Sequence, residues 1–78
     1  MSKHVTERFN YPADEHKVDL DIANRMIMHY NNAKNGETVN FVGVNRETAV
    51  YVRKYLESVY SLPIGCYMDF GYVEFYKK

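Results

Sequence analysis

Four side chains in this chain have types that perform chemistry: Cys66, His4, His16 and His29. A thiol nucleophile needs a base beside it and a third group to orient that base. Nothing near Cys66 in the sequence supplies a histidine, so it reads as a half-buried structural thiol. His16 follows Asp14-Glu15 in a polar turn, and His29 falls on the border of a helix. The histidine spacings of twelve and thirteen residues match no metal motif. A single cysteine also excludes an internal disulfide framework and points to a reducing, cytoplasmic compartment. Phosphate-cradling glycine loops and nucleophile-elbow patterns are missing too. The expectation is a protein that is not an enzyme and uses no cofactor or metal.

Aromatic residues are the distinctive chemistry instead. Eight Tyr and four Phe stand without any Trp, and five of these rings crowd the C-terminal stretch as Tyr67, Phe70, Tyr72, Phe75 and Tyr76. Tyrosine brings contact area, few rotamers to freeze and a polar tip, which is why interfaces use it. Alternation along the last strand puts Phe70, Tyr72, Glu74 and Tyr76 on one face, and Gly71, Val73 and Phe75 on the other. Val73 and Phe75 read as core, so the Phe70/Tyr72/Tyr76 side is expected to look outward.

The elements that must hold this face are few. With 78 residues, 46% of them apolar, the chain suits one small domain with one core. Ten basic and ten acidic side chains balance, and no segment concentrates either sign. Non-specific nucleic-acid binding requires clustered cations, so that class is disfavoured. No apolar run approaches the ~20 residues of a membrane span, and MSKHVTERF has no apolar core of a secretory signal.

Residues 1–17 alternate weakly before Tyr11-Pro12 and fit a short edge strand or an ordered arm equally well. A helix is predicted from Leu20 to Lys34, capped by Asp19 and ended by Asn35-Gly36, with Ile22, Ala23, Met26, Ile27, Tyr30 and Ala33 on its apolar stripe. Glu37 to Val44 reads as a strand. Asn45 then caps a second helix from Arg46 to Tyr60, with Ala49, Val52, Leu56, Val59 and Tyr60 inward, stopped by Ser61-Leu62-Pro63. Asp69-Phe70-Gly71 can reverse the chain, giving a hairpin of Ile64–Met68 and Tyr72–Lys77; one long bent strand is the alternative. The order (β)αβαββ predicts an α+β fold, with two helices packed on one face of a small antiparallel-rich sheet.

Phe70-Gly71-Tyr72-Val73-Glu74-Phe75 resembles the second half of the RNP1 strand of the RNA-recognition-motif family, and Asn40-Phe41-Val42-Gly43-Val44-Asn45 is loosely similar to its RNP2 strand. The resemblance covers residues 38–77, about half the chain, and implies that Phe41, Phe70 and Tyr72 stack on bases of single-stranded RNA. Two positions where the family has a basic residue and a glycine are Met68 and Asp69 here, and its second helix and fourth strand have no counterpart after residue 77.

Three functions follow as expectations. The first is a protein-binding module that blocks or recruits a larger protein through the aromatic face (Phe41, Phe70, Tyr72, Glu74 and Tyr76), in the manner of phage or mobile-element accessory proteins. The second is an RNA-binding domain using Phe41, Phe70 and Tyr72. The third is a homodimer whose aromatic face is its own interface. No membrane partner is expected.

Overall fold

The computed structural model describes residues 4–78. Strand β1 (Glu7–Arg8) leads through a long loop to helix α1 (Leu20–Asn32), then β2 (Thr38–Val42), α2 (Arg46–Tyr60), β3 (Gly65–Asp69) and β4 (Tyr72–Tyr76). The sheet order is β1-β2-β4-β3, with β1 parallel to β2 and β4 antiparallel to both of its neighbours. This is the expected α+β arrangement, with two of the three pairings in its mixed sheet antiparallel.

Chirality puts the helices where they are. β1, β2 and β3 all run the same way, and the connections through α1 and α2 both step in the same direction across the sheet. Right-handed crossovers in one direction land on one face. That face carries Val39, Phe41, Val73 and Phe75, all buried, against Met26 of α1 and Leu56 of α2. The other face receives no helix.

Both helix starts are fixed by side chains acting as caps. Asp19 Oδ1 accepts from the Ile22 N–H at 3.1 Å, and Asn45 Oδ1 accepts from the Thr48 N–H at 3.1 Å. Fully buried Asn45 also donates through Nδ2 to the Lys17 carbonyl at 2.6 Å, so one amide both caps α2 and fastens the preceding loop. The Asp19 N–H donates to Thr48 Oγ1 at 2.9 Å, which ties the two helix starts together.

Two element ends and one inward-facing residue depart from expectation. α1 stops at Asn32, with extended Ala33 as its cap, two residues short of Lys34. The Lys77 ammonium donates to the Tyr30 and Asn31 carbonyls, satisfying the helix end early. Asn35-Gly36 is therefore not the cap but the turn into β2, and the Gly36 N–H donates to the Lys77 carbonyl. In α2, Val59 is 56% exposed instead of inward. It lies on the same side as buried Thr48 about three turns later; the loop before α1 covers Thr48, and nothing equivalent covers Val59. Strand β2 also ends early, at Val42, because Gly43 turns to φ 86°.

The N-terminal segment forms an edge strand continued by a loop; its first three residues lie outside the described part. Glu7 pairs in register with Phe41 and so points to the helix side. There it forms an ion pair with Arg25 and accepts from His29 Nε2 at 2.7 Å. The Arg25 guanidinium lies 5.7 Å from the Phe9 ring centre. A two-residue strand has little ladder of its own, and these contacts to α1 hold it.

Gly43 is where this strand and the core meet most closely. A Cβ there would stand 1.9 Å from the Phe9 carbonyl oxygen, whereas one on Gly36, also at positive φ (91°), meets nothing within 4 Å. Gly36→Ala should cost about 1–2 kcal/mol, from the left-handed backbone alone. Gly43→Ala should cost several times more, because backbone must move. Urea unfolding of the two variants checks this, and equal losses would refute the close approach.

Candidate functional site

The β3–β4 hairpin closes through the two-residue loop Phe70-Gly71, both at positive φ (40° and 81°). This is the primed type of turn whose twist matches the strands, and it settles the C-terminal stretch as a hairpin. The Gly71 carbonyl accepts from the Gly43 and Val44 N–H groups at 2.9 and 3.1 Å, which pins the tip against the end of β2. Positive φ suits glycine and asparagine; for a bulky ring it is a strained choice. Phe70 nevertheless occupies it, and its side chain is completely exposed.

The five residues singled out from the sequence separate into three places. Tyr72, Glu74 and Tyr76 share the helix-free face of the sheet, since each alternates with buried Val73 and Phe75. Phe70 does not belong to that strand face: it sits in the turn beyond it, because Asp69 pairs with Tyr72 and the reversal takes up Phe70 and Gly71, two residues instead of the three expected. Phe41 is fully buried on the helix side, against Phe9 and His29. The three rings that the RNA-recognition resemblance places on one surface are therefore not on one surface. Strand β2 presents Asn40 and Val42 there, one register step away from what the motif requires.

The open face has a polar centre and an aromatic rim. Asn40 and Glu74 are cross-strand partners and both are nearly buried, at 7% and 6% exposure. Tyr72 Oη donates to Glu74 Oε1 at 2.7 Å. Asn40 Nδ2 donates to the His4 carbonyl at 2.8 Å, so the N-terminal segment reaches this face. Tyr67, which pairs with Glu74 from the β3 side, is half exposed and meets Tyr72 edge-on with ring centres 6.2 Å apart. It was not singled out from the sequence; only the hairpin register places it with Tyr72. Tyr76 leans over Gly65, where an added Cβ would come within 2.9 Å of its ring.

Beside the tip, a cleft of about 290 Å³ opens between the hairpin and the start of α2. Its walls include Tyr11, Val44, Met68 and Val73, with Arg46 and Asp69 as the charged groups.

The titratable residues are dispersed. Cys66 lies on β3 at one edge of the sheet, while His29 faces Glu7 on β1 at the other. His16 is exposed beside Glu15. Among the described residues no group of three His, Cys, Asp or Glu side chains is placed to hold a metal ion. No helix among them is long and apolar enough to cross a membrane. Comparison with protein-family models, curated proteins and solved structures finds no match to this chain.

Burial pushes the Cys66 thiol up from its ordinary value; the Arg53 charge works against that rise and the Glu57 charge adds to it. A raised value leaves less thiolate at neutral pH. Iodoacetamide should therefore modify Cys66 more slowly than a free thiol at pH 7, and the gap should close as pH rises past the usual thiol range. Equal rates at pH 7 would contradict the burial argument.

Proposed function

We propose that this chain is a non-catalytic protein-binding module that blocks or recruits a larger protein, with Phe70 at the hairpin tip as its anchor. One observation carries the reading: a phenylalanine is held fully exposed at a backbone angle that disfavours it. The backbone angle costs folding free energy, and the exposed ring returns none of it through burial. Such strain gathers where a side chain is presented to something else. Seating the ring in an apolar pocket would return about 1.5–3 kcal/mol, the size of a binding hot spot.

Charge narrows the partner. Asp69, which is exposed, immediately precedes the ring. The partner is a protein with a hydrophobic pocket and a basic group at its rim. Phosphate-rich RNA would meet Asp69 first, and buried Phe41 removes one of the rings that an RNA surface would use. Half-exposed Tyr67 and Tyr76 extend the contact beyond the tip. In its narrowest form, the reading is of a cytoplasmic accessory protein acting on a host protein, consistent with the single unpaired thiol.

Phe70→Asn separates presentation from folding. Asparagine tolerates positive φ, and Asn-Gly is the favoured sequence of this turn. The variant should gain about 1 kcal/mol, or about 4–8 °C in Tm for a domain of this size. In a tagged pull-down from extract, it should lose a protein band that wild type retains after RNase treatment. Lower stability would show that the ring supports the fold, and undiminished capture would remove Phe70 from the interface. Recovery that depends on intact RNA would favour the RNA reading instead.

A further inference from the structure

We propose that two copies of this chain pair antiparallel along the outer edge of β3, joining their sheets about a twofold axis that passes beside Tyr67.

The parity of the hairpin defines this edge. In a two-residue hairpin, the residues flanking the loop exchange hydrogen bonds, and every second residue thereafter does the same. Asp69, Tyr67 and Gly65 therefore spend their main-chain groups on β4, as their register with Tyr72, Glu74 and Tyr76 requires. The N–H and C=O groups of Cys66 and Met68 point the other way. β3 is the last strand of the sheet, and no described residue hydrogen-bonds those four groups. Edge strands are normally guarded by lysine, internal proline or a bulge. Gly65-Cys66-Tyr67-Met68-Asp69 has none of these and pairs without interruption.

Self-complementarity selects a second copy as the occupant. With Tyr67 opposite its own counterpart, Cys66 of each chain faces Met68 of the other and both pairs exchange N–H···O bonds. Tyr67 then falls at the non-bonded position, where Cα atoms approach to about 4.5 Å and aromatic pairs pack best. Its ring, edge-on to Tyr72 on one side, leaves its half-exposed remainder to do so on the helix-free face. On the other face Cys66 and Met68, both partly buried at the core margin, meet across the junction. Asp69, the strand's one charge, lands opposite Gly65, so the two carboxylates stay about 14 Å apart along the strands, beyond the screening length. The formal net charge of zero adds no long-range repulsion between copies. The two Phe70 tips end up at opposite ends of the joined hairpins, so this pairing leaves the Phe70 anchor of the binding reading open and withdraws only Tyr67 from that contact.

Sedimentation equilibrium over a rising concentration series tests the proposal, with amide hydrogen exchange read at Cys66 and Met68. Wild type should approach twice the 9.2 kDa monomer mass, and those two amides should become protected as it does. Met68→Pro removes an edge-facing N–H, together with a partly buried side chain at the core margin, and should stay folded and monomeric. Tyr67→Lys keeps every main-chain group but opposes two cations on the axis, and should also be monomeric; it decides the matter if the proline variant unfolds. Phe70→Ala should dimerise like wild type. A wild type monomeric up to roughly 1 mM, an association too weak to matter, would overturn the proposal. So would a dimer that survives Tyr67→Lys, a dimer with unprotected Cys66 and Met68 amides, or one lost with Phe70→Ala. An intact edge dimer that captures no partner sinks the binding reading alone.

Discussion

Strand β4 hydrogen-bonds to a neighbour on each side, and the remaining elements take their positions from that double pairing. Its register against β2 sets which residues of both strands reach the core, and its register against β3 does the same for the hairpin. The Gly71 carbonyl, accepting from Gly43 and Val44, locks the two registers to each other at one end. At the other end, the Lys77 main chain bonds Gly36 and Glu37 while its ammonium caps α1. A shift of one residue in β4 would exchange buried Val73 and Phe75 for Tyr72 and Glu74. That exchange would bury a carboxylate against the helices and expose Phe75, one of the two phenylalanine rings of the sheet core.

The same pairing produces an asymmetric molecule. Two right-handed crossovers use up one face, and the other is finished by side chains alone: a polar Asn40–Glu74 centre, a rim of Tyr67, Tyr72 and Tyr76, and the N-terminal segment reaching Asn40. Each sheet edge is also handled differently. The β1 edge is very short and is tied to α1 through Glu7, Arg25 and His29. The β3 edge is as long as any strand in the sheet and lacks such a device. Exposed chemistry therefore collects on one side of the molecule, around β3 and the turn that ends it.

Much of this frame was legible in the sequence. Asp19 and Asn45 announced both helix starts, because a capping side chain acts on backbone only three residues away. Apolar spacing identified Met26, Val52 and Leu56 as core, and alternation put Val73 and Phe75 inward and Tyr72 outward. The element order alone implied helices on one face of a sheet. These are local or periodic properties, set by the dihedral geometry of helix and strand whatever the chain packs against.

What tertiary structure decided were matters of register and coverage, which no local window contains. Phe41 belongs to the core because β2 pairs with β4 in a register that places Asn40, not Phe41, beside Tyr72 and Glu74; the motif-like sequence around it is equally compatible with either. Tyr67 joins the open face only through its pairing across the hairpin. Val59 and Thr48 occupy the same side of α2, and whether that side is buried depends on a loop far away in sequence. Phe70 shows the limit most directly. Alternation read it as a strand residue, but the pairing of Asp69 with Tyr72 leaves it in a two-residue turn, its ring exposed at a backbone angle its own preferences oppose. Sequence determined which segments become helix and strand, because that energy is local; the pairing of distant strands determined which of their side chains meet solvent.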